Sequence, residues 1–310
     1  MSGKEAIVWV DENDPVFQKH LAGASVSWVL IKEILHEELL DALKAAQIQF
    51  LPDPCSPASA LHRLMMDLYA ERSCIVRPAP NPKGTKKPAY AVLPRQDLNE
   101  RMAFVEKWIA GLDTVSLPQG GTDTIVVFSA DAPPDAREDV EAAFPDYLQK
   151  LGSEELSVWL VSLVKGLLGG VPVVGGSGSY FVAPEGLVVW RRLKKALEPF
   201  GIRCYEIPAM KSSSALEAIV DSVRIYVEKA AKDLEADLIK YRAMKAQQGQ
   251  PGTKSIQQRV LDERMRKITD QLDLVEKYES LLDTSLGSLR ADLGELQIGF
   301  GKLAMLEMAQ

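Results

Sequence analysis

The final third of the chain constrains the fold most, because it combines a nearly proline-free run with a regular apolar repeat. From Ser213 onward the only proline is Pro251. A proline inside a helix removes a hydrogen bond and clashes with the preceding turn, so its absence favours long helices. The sequence predicts a helix over 213–247, a turn over 248–253 and a second helix over 254–308.

Both predicted helices carry apolar residues at the alternating four- and three-residue intervals of a coiled-coil seam. If the chain folds back at Pro251, opposed residues should have numbers with a constant sum. The sum is 502 for Tyr241 with Leu261 and for Leu234 with Ile268. This favours an antiparallel hairpin, an arm on the order of 40 Å long at 1.5 Å per residue, over two unrelated amphipathic helices. The seam residues are Leu216, Val220, Val223, Val227, Ala230, Leu234, Asp237 and Tyr241, opposite Leu261, Met265, Ile268, Leu272, Val275, Glu279, Leu282 and Leu286.

Two predicted seam layers contain a polar residue. Asp237 is opposite Met265, and Glu279 is opposite Val223. These polar groups either fix the register at a cost in stability or reach solvent.

The segment after the predicted hairpin is apolar or small on two opposite faces. One face continues the seam, and we expect the rest of the protein to cover it. The second face repeats glycine every seven residues, which favours close approach by another backbone, either at an interface or inside the protein. The first face holds Leu289, Leu293, Leu296, Phe300 and Leu303, and the second holds Gly287, Ala291, Gly294, Ile298, Gly301 and Met305.

The first two thirds of the chain mix strands and helices without regular alternation, which favours an α+β fold over a doubly wound sheet. We therefore predict two domains, an α+β globular domain over 1–210 and the helical region over 211–310. The globular domain includes a four-stranded antiparallel meander over 73–77, 89–93, 102–108 and 124–128. Further strands are predicted over 5–10, 24–31, 180–183 and 202–207, and helices over 34–46, 58–71, 134–151, 154–168 and 185–199.

Composition indicates an ordinary protein of the reducing cytoplasm. The three cysteines, Cys55, Cys74 and Cys204, form no CxxC pair, which argues against a disulfide framework or a zinc site. No secretory signal opens the chain. The apolar run over 158–174 contains Lys165 and is interrupted by glycine and Pro172, so a buried helix leading into a strand is favoured over a membrane span.

Catalytic signatures are scarce, and the sequence favours a non-enzymatic protein without a cofactor. The three histidines, His20, His36 and His62, are far apart, and neither a phosphate-binding P-loop nor a nucleophile elbow occurs. The glycine-rich segment over 169–179 could cradle a phosphate, but it precedes a strand and is favoured as a connector. An acidic turn at Asp11, Glu12 and Asp14 is likewise favoured over a metal site.

A basic hairpin is the one segment that points toward nucleic acid. The chain has a net charge of −7, so general attraction to phosphate is absent. The predicted loop NPKGTKKP nevertheless concentrates positive charge that could contact a phosphate backbone, although a solvated turn is favoured. The residues concerned are Arg77, Lys83, Lys86, Lys87 and Arg95.

Two stretches resemble an uncharacterised family of phage and plasmid proteins. They are ALKAAQIQFLPDPCSPASALHRL, with Ala60 and Arg63 in an Ala-x-x-Arg helix, and GSGSYFVAPEGLVVWRRLKKAL, with a glycine-rich strand that departs from the family pattern by an additional Ala183. The family ends in a coiled-coil tail. Its members tend to be encoded beside MoxR-like AAA+ ATPases, so the resemblance implies a protein partner and supplies no catalytic residues.

Together these features favour an interaction or adaptor protein of a mobile genetic element. It would associate with itself or with a partner ATPase through its helical arm and terminal helix. Two alternatives remain: a nucleic-acid-binding protein that uses the hairpin over 83–87, and a nucleotide-binding protein or enzyme that uses the loop over 169–179.

Overall fold

The α+β class predicted from the sequence is confirmed by the structure. The computed structural model describes residues 19–30, 33–69, 74–98, 101–104, 108–117, 122–173, 178–246 and 257–308. The predicted strand over 5–10, the acidic turn at Asp11 and the predicted turn over 248–253 lie outside these residues.

The strands are β1 Leu21–Val29, β2 Glu33–Leu35, β3 Cys74–Pro78, β4 Ala89–Leu98, β5 Arg101–Phe104, β6 Trp108–Ser116, β7 Thr122–Phe128, β8 Lys150–Gly152, β9 Val171–Pro172, β10 Tyr180–Val182 and β11 Arg203–Met210. The helices are α1 His36–Ala45, α2 Pro57–Tyr69, α3 Pro134–Leu148, α4 Ser153–Gly166, α5 Pro184–Leu197, α6 Ser213–Ala246, α7 Gln258–Leu282 and α8 Gly287–Met308, with a 3₁₀ turn at Glu198–Phe200.

The chain divides into two compact units, each built from separate stretches of the sequence. The predicted domain boundary at residue 210 stays a prediction. The first contains the described residues of Met1–Val29, Ser162–Lys194 and Arg203–Gln310. The second contains those of Leu30–Val161 and Lys195–Ile202. The helical region therefore shares a compact unit with one of the sheets.

The sheet of the first unit is antiparallel, in the order β11-β1-β10-β9. The register shifts beside Gly23, where a Cβ atom would lie 2.4 Å from the carbonyl oxygen of Val182. Only glycine allows the two strands to approach so closely. Arg191 of α5 clamps Glu206 of β11 with an Nη2–Oε1 distance of 2.7 Å, and so fixes the helix against the sheet.

The helices α6, α7 and α8 form a three-helix arrangement in the first unit, which corrects the single helix predicted over 254–308. The predicted helix is interrupted between Leu282 and Gly287. Asp283 adopts a left-handed conformation with φ of 48° and ends α7. Ser285 then accepts a hydrogen bond from the Gly287 N–H at 3.3 Å, at the start of α8.

Glu279 stabilises this turn, and so accounts for a polar seam residue. Its Oε1 accepts a hydrogen bond from the Leu286 N–H at 2.6 Å, and its Oε2 pairs with Arg290. Asp237, the other polar seam residue, pairs with the Nε of Arg264 at 2.7 Å. Each carboxylate therefore forms polar contacts at the edge of the seam and is not packed among its apolar residues.

The last helix returns along α6 instead of extending beyond the hairpin. The rings of Tyr241 and Phe300 meet edge to face at a centroid distance of 6.3 Å, and Lys245 donates to the carbonyl of Leu306 at 3.3 Å. The seam side of α8 is buried as expected, but α6 and α7 provide the cover. Its buried residues are Leu289, Leu293, Leu296, Phe300 and Leu303.

The helices α6, α7 and α8 form a three-helix bundle, and its apolar core continues into the sheet of the first unit. Tyr278 of α7 is fully buried and donates from its hydroxyl to the Gly169 carbonyl at 3.0 Å. Its ring lies 6.1 Å from that of Phe181 in β10. One apolar cluster thus joins the predicted seam residues to the strands.

The meander of the second unit has five strands rather than the four predicted. Its order is β3-β4-β6-β7, and β5 pairs with an extension of β4. The strand predicted over 102–108 corresponds to β5, whereas β6 at Trp108–Ser116 was not anticipated because Gly111 and Asp113 interrupt its apolar pattern. Ser56 caps the start of α2, since its Oγ accepts a hydrogen bond from the Ser59 N–H at 3.1 Å.

The apolar run over 158–174 forms the second part of α4 and then β9, as predicted. Among the described residues, no helix combines the length and the hydropathy that a membrane crossing requires.

The burial of residues in the bundle core predicts which substitutions lower the free energy of unfolding. Ile268 is fully buried in the core, whereas the side chain of Ile225 is 53% exposed. Ile268→Ala should lower the free energy of unfolding by about 2–5 kcal/mol, because it removes buried methylene groups and leaves a cavity. Ile225→Ala, the matched control, should change it by about 0.5 kcal/mol or less. Urea denaturation measures both, and equal losses would contradict the assigned core.

Candidate functional site

The outer face of α8 gathers all six residues that the sequence proposed as an interface. Gly287 and Ala291 are exposed, and Gly294 and Gly301 are partly exposed. A Cβ atom added to Gly294 or Gly301 would meet no atom within 4 Å. The glycines of this face therefore do not serve internal packing among the described residues, and their role at an interface stays a prediction.

Large apolar side chains complete this face. Ile298 is 61% exposed and Met305 is 73% exposed. Single exposed apolar residues are ordinary, whereas a contiguous apolar patch marks an interaction site. The face is therefore a stripe of apolar and small residues along α8, and we call it the α8 stripe.

The glycine that does permit close packing in α8 is Gly299, which the sequence analysis did not single out. A Cβ atom there would lie 2.6 Å from Cδ2 of Leu238 in α6. Gly299 is not part of the seven-residue glycine repeat, because it lies on the side of α8 that faces α6. No periodicity in α8 alone identifies it.

The basic hairpin is held in a defined shape by Asn81, a buried residue that sequence reasoning missed. Its side-chain amide donates to the Leu112 carbonyl at 2.8 Å, and its Oδ1 accepts from the Lys83 N–H at 2.9 Å. Gly111 makes room, because a Cβ there would lie 2.9 Å from the Asn81 amide nitrogen. An asparagine after a proline in a loop signals such a role only once the partner strand is known.

The hairpin lysines are partly neutralised by Asp113 of β6. Its carboxylate lies 3.2 Å from Nζ of Lys83 and 3.5 Å from Nζ of Lys87, and Lys87 also contacts Thr114. A hydrogen bond from the Thr114 backbone, and then Lys83, hold the pKa of Asp113 below its ordinary value. The carboxylate is therefore ionised at neutral pH, and the net positive charge of the tip is lower than the sequence suggested.

Of the other hairpin candidates, Lys86 lies in the loop between β3 and β4, and Arg77 and Arg95 lie on the strands. Lys86 and Arg77 are exposed. Arg95 lies on β4 opposite Phe104, and its side chain lies outside the part of the chain that the structure describes. Nucleic-acid binding by these residues stays a prediction.

The described part of the glycine-rich segment borders a groove in the first unit. Gly169, with φ of 62°, approaches Nζ of Lys277, which donates to the Leu168 carbonyl at 3.3 Å. Lys165 stands 5.6 Å from the ring centre of Tyr226 and 5.8 Å from that of Tyr180. Residues 174–177 lie outside the described residues, so nucleotide binding by this segment also stays a prediction.

The second unit contains a network of polar contacts centred on Arg63 of α2. Its guanidinium donates to Oε1 of Glu33 at 2.7 Å and to the carbonyls of Lys150 at 2.6 Å and Tyr147 at 3.1 Å. Arg63 thereby ties α2 to the β2–β8 ribbon and to the end of α3. Two of these contacts are to backbone carbonyls, so Arg63 supports the local structure as well as pairing with a carboxylate.

The network also includes Cys55, whose Sγ lies 3.3 Å from a guanidinium nitrogen of Arg63. Burial is the main cause that raises the pKa of the Cys55 thiol above its ordinary value. A thiol with a raised pKa is protonated at neutral pH and is a poor nucleophile. Burial likewise raises the pKa of Cys204 to about 11.

Two of the histidines make separate local contacts. His36 donates from Nε2 to the Pro52 carbonyl at 3.1 Å, and His62 packs against Tyr90 at a ring distance of 5.0 Å. No three His, Cys, Asp or Glu side chains come together as a metal site in the described part of the chain. This arrangement assigns no acid–base or metal chemistry to them.

Comparison with known proteins places the chain in a family. Residues 23–308 match the model of a family of unknown function, DUF6744, and the chain belongs to that family. Neither the curated proteins nor the solved structures give a match. The family extends over both compact units, so it describes the whole fold rather than one part of it.

Loss of the Arg63 network should destabilise the protein. Arg63→Leu removes one partner of a largely buried ion pair with Glu33 and leaves two carbonyls without their donor, so we expect a loss of about 3–5 kcal/mol in the free energy of unfolding. Arg224→Leu, which removes an exposed pair with Asp221, should cost about 1 kcal/mol or less. Chemical denaturation compares them, and a small effect of Arg63→Leu would contradict the structural role.

The prediction that the basic hairpin binds nucleic acid can be tested with two substitutions. One removes a positive charge, and the other removes the carboxylate that neutralises the lysines. Lys86→Glu should weaken any binding of duplex DNA and flatten its salt dependence, because one cationic contact is lost. Asp113→Asn should strengthen that binding, since it removes the carboxylate that neutralises Lys83 and Lys87. Fluorescence anisotropy at low and moderate salt measures both. A wild-type protein that does not bind DNA at low salt would rule out nucleic-acid binding by this hairpin.

Proposed function

We propose that the protein is a non-enzymatic interaction protein, an adaptor of a mobile genetic element that associates with itself or with a partner AAA+ ATPase. The α8 stripe is the observation that carries the proposal. The mobile element and the ATPase partner come from the sequence resemblance described above, and membership of a family of unknown function supplies no activity.

Exposure of the apolar α8 stripe to water is unfavourable in free energy. Ile298 and Met305 project from a helix whose opposite side is already buried, and Leu306, 53% exposed, lies beside them. Covering apolar surface yields about 25 cal/mol per Å². The open space around Gly294 and Gly301 lets a partner helix approach the α8 backbone closely, so the stripe suits a helical surface better than a small ligand.

Ile298→Asp tests the stripe directly. A charged side chain in the centre of the stripe should abolish association and leave the fold intact, because position 298 already faces solvent. Ile225→Asp on α6 is the matched control, since Ile225 has a similar exposure of 53%. Light scattering on purified protein measures self-association, and circular dichroism measures the fold. Equal effects of the two substitutions would argue against the stripe.

A second variant distinguishes an interface from a surface that accepts substitutions without effect. Gly294→Leu should block close approach by a partner while it improves helix propensity, by about 1 kcal/mol at most. If the wild type is monomeric, the same variants should be compared for co-purification with a MoxR-like AAA+ ATPase, the partner that the sequence resemblance implies. Wild-type protein that neither self-associates nor retains that ATPase would overturn the proposal.

A further inference from the structure

A second surface of the bundle is a groove between α6 and α8, separate from the α8 stripe. It encloses about 550 Å³. Leu238, 5% exposed, and Leu296, 8% exposed, form its floor together with Ala231. Ile239, 61% exposed, stands on its rim. Single-sequence reasoning missed this groove because the predicted continuous helix would have carried α8 away from α6.

The dimensions of the groove suit a helix. The two helices run in the same direction, since Gly299 meets Leu238 and the Leu306 carbonyl meets Lys245 further along. The α6 wall extends from Glu228 to Arg242, which is about 21 Å at 1.5 Å per residue. About four turns of another helix could lie along it, with apolar side chains on the floor.

The rim of the groove carries an excess of negative charge. Glu228 and Glu235 line the α6 side, and Asp292 and Glu295 line the α8 side. None of these four carboxylates forms an ion pair with any other residue that the structure describes. Only Lys232 and Arg242 supply positive charge to the lining. An apolar floor between two rows of carboxylates is complementary to an apolar stripe flanked by cations.

We infer that this groove binds an amphipathic helix of a partner protein, one with an apolar stripe bordered by lysine or arginine. The inference rests on the proposed partner-binding function and names the chemistry of the partner. The excess of carboxylates over cations in the lining disfavours a nucleic acid or an acidic helix.

A second copy of this chain does not offer such a helix among its described residues. Helices α5 and α7 combine an apolar side with clustered cations, Arg191, Arg192 and Lys194 in α5 and Arg264, Arg266 and Lys267 in α7. Their apolar residues, among them Trp190 and Leu193 in α5 and Ile268 and Val275 in α7, are already buried in the fold. The groove therefore points to a different protein.

Two synthetic peptides of fourteen residues provide the probe. Both place leucine along one helical face, and the remaining positions are lysine in one peptide and glutamate in the other. The lysine peptide should bind the wild-type protein in a fluorescence anisotropy titration, and the glutamate peptide should not. Combined Glu235→Lys and Glu295→Lys should weaken the lysine peptide by about tenfold or more, because two attractive contacts become repulsive, and should favour the glutamate peptide.

The matched control has the same change in net charge at another place. Glu217→Lys on α6 with Glu276→Lys on α7 alters two exposed residues outside the groove and should leave the affinity for the lysine peptide nearly unchanged. An equal loss in the control would show general attraction to an acidic protein and overturn the inference. Absence of lysine-peptide binding to the wild type would overturn it as well.

Ile298→Asp distinguishes this inference from the proposed function. That variant alters the α8 stripe and leaves the groove residues in place, so its affinity for the lysine peptide should match that of the wild type. Loss of peptide binding in Ile298→Asp would assign the peptide to the stripe and reject the groove. Retained peptide binding, together with wild-type protein that fails the association tests, would support the groove and reject the stripe.

Discussion

The turn between α7 and α8 is the constraint on which the bundle depends. Asp283 ends α7 in a left-handed conformation, and Glu279 reaches across the turn to the Leu286 N–H. These contacts direct α8 back along α6. Leu293 and Phe300 are fully buried only because of that reversal. Without it the seam side of α8 would need a different cover, and the groove between α6 and α8 would not exist.

The apolar pattern of the bundle could be predicted from sequence, but its third helix could not. The a/d spacing identified residues that are indeed buried, among them Val227, Ile268 and Val275. The same spacing continues through Leu282, Leu286 and Leu289, and so it hid the interruption. The signal for a break was the run of Asp283, Thr284 and Ser285, which favour caps and turns over helix interiors. A strong periodic pattern outweighed that local signal.

The meander shows a second limit of prediction from sequence, because one of its strands was missed. The strand ranges predicted from sequence located β3, β4 and β7, whereas β6 was missed because Gly111 and Asp113 occupy it. Both residues have partners that lie elsewhere in the chain: Gly111 makes room for the buried Asn81, and Asp113 pairs with hairpin lysines. Their roles come from the paired strand, so the residues beside them in sequence do not reveal them. The candidate interface, by contrast, was visible in sequence because one helix face contains it entirely.

The parallel arrangement of α6 and α8 has a consequence for the order of folding. Lys245 and Leu306, which meet at the end of the two helices, are 61 residues apart in the chain. Such a contact closes a long loop and is entropically costly until intervening structure shortens it. We expect the neighbouring helices to pair before α8 docks on α6, since local contacts form sooner than distant ones. The groove would then be among the last surfaces to form, and a partner that recognises it would select chains whose folding is complete.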